Sequence, residues 1–254
     1  MKLTFLGTGT SQGVPIITCK CNVCTSSDAR DMRMRSSALI NVDDKNILVD
    51  IGPDFREQMI RNKVQRLDAV LITHAHRDHV AGIDDIRPFN YSQKSPIDFY
   101  ARGNALNAIV RDYSYIFGEH LYPGLPEANL VEVTSDERFR IGNIEVQPIE
   151  VMHKDLPIFG YRINNFTYIT DANYISEKEK EKIKGTEILV INALGKYKHF
   201  SHYSLYEALE IIKEIKPRKA YLTHVSHDMG LYSEVSTQLP ENVFLAYDGL
   251  TIEF

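Results

Sequence analysis

Three histidines and one aspartate lie within six consecutive positions, and this metal-site motif constrains the chain more than any other feature. Its members are His74, His76, Asp78 and His79. Imidazole and carboxylate groups together suit divalent transition metals such as zinc, manganese and iron. Without a metal, three rings and a carboxylate would crowd one place with no compensating partner. The motif therefore predicts a metal site, and its spacing favours one ion beside His74 and His76 and a second beside Asp78 and His79.

An apolar segment of strand length precedes the motif. Residues 67–72 read Leu-Asp-Ala-Val-Leu-Ile, so the histidines are expected where a buried strand ends and a loop begins. A lone histidine in such a place is most often a surface residue or a satisfied core residue. Four ligand-type side chains within six positions favour metal binding instead.

The metal-site motif, together with residues 47–52 (Ile-Leu-Val-Asp-Ile-Gly), resembles the metallo-β-lactamase superfamily of hydrolases. The resemblance extends over the whole chain and implies an α/β fold, the four-layer αββα sandwich, with two metal ions in its active site. It also implies that Asp50 lies behind the site and orients loops and ligands. The ligands that it implies are His74, His76 and His153 for the first metal, Asp78, His79 and His224 for the second, and Asp171 as a bridge between them.

The three cysteines of the chain, Cys19, Cys21 and Cys24, lie within six positions. A disulfide would leave one thiol unpaired, so a metal explains the group better. A closed structural zinc site needs four ligands, and His227, three residues after His224, is the predicted fourth. A reduced cluster without metal is the alternative interpretation.

Three motifs in order resemble one branch of the superfamily, the cyclic-phosphate phosphodiesterases of phosphonate catabolism, or PhnP-like proteins. They are the glycine-rich segment at 7–15, the CxCxxC motif and the HxHxDH motif. The resemblance implies hydrolysis of small cyclic phosphates or related phosphodiesters by a hydroxide formed at two ions of zinc, manganese or iron. It also implies catalytic roles for Asp78, which would orient the attacking hydroxide unless Asp171 does so, and for His202, which would assist the leaving group. No Gly-Lys-Ser/Thr follows the glycines, so a Walker loop is excluded.

Length and composition predict one domain. The chain has 254 residues, 43% of them hydrophobic, and no apolar run of the length that spans a membrane. We expect a single metallo-β-lactamase-fold domain over 1–254, with a variable, aromatic-rich segment at 89–129 near the active site. No signal region begins the sequence and the cysteines suit a reducing compartment, so a cytoplasmic location is expected. His120 and His199 receive no role.

Short apolar runs and helix-capping patterns predict alternating strands and helices. Ser204 and Glu207 form a capping-box pattern at the start of the last predicted helix. The predicted strands lie at 3–6, 37–42, 46–50, 69–72, 97–100, 144–149, 161–163, 166–169, 187–191 and 219–222. The predicted helices lie at 53–62, 104–117, 177–184 and 204–215.

Two other functions within the superfamily stay open. A transfer-RNA 3′-processing nuclease would share the metal ligands, but binding folded RNA favours a basic surface and this chain has a net charge of −5. A protein resembling those of pyrroloquinoline quinone assembly would share the cysteine motif, although its first metal motif commonly departs from HxHxDH. We therefore expect a small phosphodiester as the partner, with neither nucleic acid nor membrane, and a homodimer is compatible with the resemblance.

Overall fold

The computed structural model describes residues 1–118 and 122–254, so His120 lies outside the described residues. The strands in chain order are β1 (Lys2–Gly7), β2 (Ser37–Val42), β3 (Lys45–Val49), β4 (Ala69–Leu71), β5 (Ile97–Ala101), β6 (Ala128–Glu132), β7 (Phe139–Ile141), β8 (Ile144–His153), β9 (Leu156–Ile163), β10 (Phe166–Tyr168), β11 (Tyr174–Ile175), β12 (Ile188–Asn192), β13 (Lys219–Thr223), β14 (Val243–Leu245) and β15 (Thr251–Glu253). The α-helices are α1 (Phe55–Arg61), α2 (Arg77–Val80), α3 (Arg87–Gln93), α4 (Gly103–Asp112), α5 (Ser114–Phe117), α6 (Glu177–Ile183), α7 (Leu205–Ile215) and α8 (Tyr232–Val235). Single turns of 3-10 helix lie at Ala29–Asp31, Ile83–Ile86 and His227–Met229.

The strands form two mixed sheets. The first has the order β15-β1-β2-β3-β4-β5-β6, and its strands from β3 to β6 run parallel. The second has the order β11-β8-β9-β10-β12-β13-β14, with β7 paired to β8, and its strands β10, β12, β13 and β14 run parallel. Parallel strands that share a sheet end at one edge, so residues that follow them come together.

Three hydrophobic clusters define four layers. An inner cluster between the sheets joins Phe5 of β1 to Tyr161 of β9. A second cluster packs helices on the outer face of the first sheet and includes Phe55 of α1. A third packs helices on the outer face of the second sheet and includes Ile212 of α7. The αββα sandwich predicted from the sequence is therefore confirmed.

Strand β3 shows why the chain builds layers on both faces of a sheet. Successive side chains of a strand point to opposite faces. Ile47 and Val49 accordingly lie in the inner cluster, whereas Leu48 lies in the outer one. All three are fully buried, which is why the sequence shows a continuous apolar run here rather than an alternation.

The predicted capping box begins α7. The hydroxyl of Ser204 accepts a hydrogen bond from the backbone N–H of Glu207, and the Glu207 carboxylate accepts one from the backbone N–H of Ser204 at 2.9 Å. These bonds satisfy helix N–H groups that have no partner within the helix. This helix start fixes the loop that carries His202.

Several predicted boundaries differ from the structure. The helix predicted at 104–117 is two helices, because Tyr113 leaves the helical conformation and donates a hydrogen bond from its hydroxyl to the Val80 carbonyl at 2.9 Å. The helix predicted at 53–62 begins at Phe55, two residues after Pro53. Strand β8 continues through His153 rather than ending before it. The sequence analysis did not identify β6, β7, β11, β14, β15, α2, α3 or α8.

The aromatic-rich segment at 89–129 is built into the first sheet. It contains β5 and the beginning of β6, and Phe99 of β5 is fully buried in the outer cluster. Tyr91 and Tyr122 are exposed. The description of this segment as a variable part of a single domain stays a prediction. Among the described residues, no helix is long and apolar enough to cross a membrane.

Candidate metal centre

The predicted ligands of the two active-site metal ions, here called the catalytic pair, follow strands of both sheets. His74 lies after β4 of the first sheet, and Asp171 and His224 follow β10 and β13 of the second. His153 is the last residue of β8. His76 precedes α2, whose first turn contains Asp78 and His79, the remaining ligands of the motif. The site therefore lies at the edge where strands of the two sheets end.

The structure brings all seven predicted ligands together in overlapping groups. In each group the ligand atoms lie within 4.8 Å of one another. The groups are His74, His76 and His153; His74, His79 and Asp171; Asp78, Asp171 and His224; and His153, Asp171 and His202. The assignment of these residues as metal ligands stays a prediction, and the grouping differs from the predicted one in that His79 lies with His74 and Asp171.

Asp171 occupies the centre of the cluster. Its Oδ1 lies 3.1 Å from Nε2 of His224, and its Oδ2 lies 3.4 Å from Nε2 of His79. Asp171 and His224 both have positive φ angles, 57° and 53°. Such conformations are uncommon for residues other than glycine and concentrate where function requires a fixed side-chain direction. The backbone is therefore held so that both side chains turn into the site.

Polar partners behind the cluster fix the histidine tautomers. Nδ1 of His79 lies 2.6 Å from Oδ2 of the buried Asp50 and donates to it. Nδ1 of His224 lies 3.1 Å from the Ser36 hydroxyl oxygen, and that hydroxyl donates in turn to the Gly9 carbonyl at 2.9 Å. Each ring that donates from Nδ1 leaves the lone pair of Nε2 free for a metal.

Two further predicted ligands also have Nδ1 of the ring beside a hydrogen-bond acceptor. Nδ1 of His153 lies 2.8 Å from the Asp171 backbone carbonyl oxygen and donates to it. Nδ1 of His74 lies 3.0 Å from the hydroxyl oxygen of Thr73, whose own hydrogen goes to the Asp50 carboxylate. Asp50 thus supports His79 directly and His74 through Thr73, in the position behind the site that the resemblance implies.

The donor set fits divalent cations. Nε2 of His79 is buried and has no hydrogen-bond partner among the described residues. Burial lowers the pKa of His79, but the carboxylates of Asp171, Asp78 and Asp50 outweigh that effect and raise this pKa well above its usual value. Burial raises the pKa of Asp171, yet His224 and His79 hold it well below its usual range. Buried carboxylates and imidazole lone pairs facing one point favour a cation there.

The three cysteines and His227 form a second cluster, as predicted. The Sγ atoms of Cys19, Cys21 and Cys24 lie 3.3, 3.4 and 3.5 Å from Nδ1 of His227. A tetrahedral zinc ion with ordinary Zn–S and Zn–N bonds would separate sulfur and nitrogen by about 3.6 Å. The backbone N–H of Cys24, which donates to the sulfur of Cys21, contributes most to lowering the pKa of Cys21 to about 6. The cluster therefore fits a structural zinc ion, and that assignment stays a prediction.

His202 lies at the edge of the catalytic cluster. Its Nε2 is 3.1 Å from Oδ1 of Asp171, and its ring stacks on that of His224 with centroids 5.0 Å apart. His199, to which the sequence analysis gave no role, has its Nδ1 3.2 Å from Nδ1 of His202. The predicted catalytic role of His202 is untested, but its position touches the predicted bridging carboxylate.

The sequence analysis missed the polar residues that orient the ligands. Ser36 and His224 are 188 positions apart, and no local pattern links them. Thr73 lies beside His74, but threonine after an apolar strand is too common to indicate a role. The three-dimensional structure, and not the local sequence, shows that the hydroxyls of Ser36 and Thr73 face histidine nitrogens.

Comparisons with known proteins identify the family of this chain. A family model described as "Beta-lactamase superfamily domain" matches residues 45–225. A crystal structure described as a new diphosphatase from the PhnP family is 35% identical, covers 100% of this chain and 97% of its own, and superposes with a TM-score of 0.93. Zn²⁺-bound PqqB from Methylobacterium extorquens is 19% identical with a TM-score of 0.82, covers 100% of both chains, and shows the shared fold alone.

One relative carries the name of a transferase rather than that of a diphosphatase. A protein of Porphyromonas gingivalis named octanoyltransferase is 40% identical over 252 residues, which are 98% of this chain and 51% of that protein. This chain thus spans about half the length of that relative, and the name applies to a protein of about twice its size. The family match, the fold and the PhnP-family structure agree with one another. The chain therefore belongs to the metallo-β-lactamase superfamily and, within it, to the PhnP family.

Proposed function

We propose that this chain is a metal-dependent phosphodiesterase that hydrolyses small phosphodiesters, including cyclic phosphates. The observation that carries this proposal is the position of Asp171, whose two carboxylate oxygens face His79, in the helix after β4 of the first sheet, and His224, after β13 of the second. One carboxylate placed in this way can serve two cations. Two adjacent divalent ions lower the pKa of water and neutralise charge on phosphate oxygens.

The chain's own residues have separate tasks in this reaction. Asp78 has 13% of its side chain exposed, whereas Asp171 has 3%, so Asp78 is the carboxylate that can reach the attacking water and orient it. Asp50, Ser36 and Thr73 hold the histidine rings in the tautomer that binds a cation. His202, on the edge of the cluster, donates a proton to the leaving alkoxide.

A diphosphatase activity is the second candidate, and one observation favours it. The solved structure that is 35% identical is described as a diphosphatase of the PhnP family. Attack on phosphorus is common to both reactions, but the departing group differs. A phosphate leaving group is more acidic than an alcohol and depends less on a proton donor such as His202.

The net charge of −5 does not favour a nuclease for folded RNA. A role like that of the pyrroloquinoline quinone assembly proteins is the alternative if no phosphoester reacts. For this chain we propose zinc, manganese or iron in the catalytic pair and zinc at the cysteine cluster.

A substrate screen tests the proposal. Protein loaded with zinc or manganese is assayed with bis(p-nitrophenyl) phosphate, cyclic nucleotides, ribose cyclic phosphates and a dinucleoside diphosphate, beside lactam and thioester substrates. Asp171→Ala protein serves as the control for contaminating activity. Turnover of phosphodiesters by the wild type alone supports the proposal. Turnover of the diphosphate alone selects the second candidate, and inertness toward every phosphoester contradicts both.

A further inference from the structure

A short loop between β12 and α7 closes on itself beside the metal centre. The backbone N–H of Leu194 donates to the Tyr203 carbonyl at 2.9 Å, and that of Leu205 donates to the Gly195 carbonyl at 2.7 Å. These bonds fix the base of the loop, and His202 lies just inside it. The tip of the loop turns outward, and its aromatic residues are not needed by the proposed mechanism.

Phe200 at this tip is an exposed ring that the fold does not use. Its exposed fraction is 69%, and in the described part of the chain it belongs to none of the three hydrophobic clusters. Large apolar side chains in water forgo the free energy that burial would provide. A phenylalanine fixed in this position therefore has a surface available to a ligand.

A chain of ring contacts connects Phe200 to the metal centre. The ring of Phe200 lies 4.4 Å from that of His199, centroid to centroid, and His199 lies 5.1 Å from His202. His202 in turn contacts Asp171 at 3.1 Å. The exposed ring thus stands within a few side chains of the predicted bridging carboxylate.

A second set of contacts joins Phe200 to Lys154, the residue after strand β8. The side chain of Asn173 accepts a hydrogen bond from the Lys154 backbone N–H at 2.8 Å and donates one to the Phe200 carbonyl at 3.4 Å. Lys154 directly follows His153, and its ammonium lies 5.8 Å from the centroid of the Phe200 ring. Asn173 therefore ties the backbone of Lys154 to that of Phe200, and the ammonium of Lys154 lies over the Phe200 ring.

We propose that Phe200 and Lys154 form a subsite for the base of a nucleoside phosphoester, with the ring stacking on the base and the ammonium facing the phosphate. This inference rests on the proposed function, because it names the class of phosphoester that the same site receives. A flat apolar ring matches a planar base, and base–aromatic stacking adds affinity for any base. The adjacent cation complements the charge of the phosphate.

Calorimetric titration tests the subsite without relying on turnover. Zinc-loaded protein is titrated with adenosine monophosphate and with ribose 5-phosphate, which differ by the base. The wild type should bind the nucleotide more tightly. Phe200→Ala should weaken nucleotide binding by about 5- to 150-fold while leaving ribose 5-phosphate unchanged. Phe200→Trp should retain the preference, and Lys154→Gln should weaken both ligands.

Tyr91→Ala is the matched control, because it removes a ring that is 73% exposed on α3 and should leave both affinities unchanged. Equal affinity of the wild type for the two ligands, or no binding of either, would overturn the subsite. So would a Phe200→Ala protein that keeps its preference for the nucleotide.

Hydrolysis of a ribose cyclic phosphate, which has no base, separates this inference from the proposed function. Turnover of that substrate combined with equal binding of the two ligands would overturn the subsite alone. Selective nucleotide binding without turnover of any phosphoester would overturn the proposed function and support the subsite.

Discussion

Nδ1 of His79 lies 2.6 Å from Oδ2 of Asp50, and both side chains are completely buried behind the predicted ligands. The carboxylate accepts the ring hydrogen and so directs the lone pair of Nε2 into the site. The same carboxylate also accepts hydrogen bonds from Thr73, the residue that supports His74. Asp50 is therefore a positioning residue for two predicted ligands at once.

Asp50→Asn should weaken binding at the catalytic pair by about 10- to 100-fold, because the amide cannot hold His79 in the same tautomer with the same strength. Competition between the protein and a zinc chelator measures this affinity. Asp136→Asn, which changes a carboxylate that is 73% exposed, is the matched control and should have no effect. Unchanged zinc affinity in Asp50→Asn would show that the buried pair does not support the ligands.

Asp171→Ala should lower turnover by about 1,000-fold or more, because it removes the carboxylate shared between the two predicted cations. Metal analysis of the purified variant should still find one zinc ion per chain, held by the cysteine cluster. Retention of both catalytic ions by this variant would contradict the bridging role.

Cys21→Ser should affect the structural zinc and the stability of the fold rather than the predicted catalytic ions. The cysteine cluster joins residues 19–24 to His227, so loss of a ligand should release the structural zinc and lower the stability of the fold. A loss of about 3 kcal/mol corresponds to a fall in Tm of about 6–12 °C for a domain of this size. Thermal unfolding measures it, and Asn22→Ser in the same loop should leave Tm unchanged. An unchanged Tm for Cys21→Ser would show that the cluster does not stabilise the fold.

His202→Ala should affect substrates according to their leaving groups. Phosphodiesters with an alkoxide leaving group should lose about 100- to 10,000-fold in kcat, because proton donation by His202 would be missing. Esters with a p-nitrophenolate leaving group should lose much less, because that group departs without a proton. Steady-state rates on the two classes give the comparison. Equal losses would indicate that His202 contributes through binding or structure instead of proton donation.

Metal binding and stability should both depend on pH. The pKa of His79 is raised well above its usual value, so a metal must displace a proton and its affinity should fall as pH falls below that raised pKa. In chelated protein the protonated His79 stabilises the fold below the unfolded pKa of about 6.5, and this contribution is lost as pH rises through the raised pKa.

The pKa of Asp171 is depressed, so its contribution is present above the unfolded pKa of about 3.9 and is lost as pH falls through the lower folded value. In chelated protein the stabilising contributions of both His79 and Asp171 are therefore present together between about pH 4 and 6.5, whereas the Tm of metal-loaded protein should rise further above that range as metal affinity rises. Scans of Tm against pH with and without chelator give both curves. If the curves of Tm against pH with and without chelator coincided, metal binding would not be linked to the release of protons.

Sequence patterns were sufficient for the parts of this molecule that depend on local chemistry. The apolar run at 69–71 and the histidines after it identified β4 and the start of the site, because strand composition and ligand spacing are both local. The capping box at Ser204 was confirmed for the same reason. The ligands from the second half of the chain, such as Asp171, came from the family resemblance.

Features that depend on distant contacts could not be predicted in this way. The break between α4 and α5 follows from the hydrogen bond of Tyr113 to Val80, across 33 positions. Ser36 and His224 meet only because β2 and β13 belong to sheets that face each other. The short strand β14 pairs with β13 through three residues and has little pattern of its own. Tertiary packing, rather than local preference, determines these elements.

The predicted ligands of the two catalytic metal ions follow strands of both sheets, so metal binding there would also hold the two sheets together. Among the described residues, the predicted ligands are divided between the part of the chain before β5, which supplies His74, His76, Asp78 and His79, and the part from β8 onward, which supplies His153, Asp171 and His224. Full occupancy of the predicted pair would therefore require both sheets to be in place.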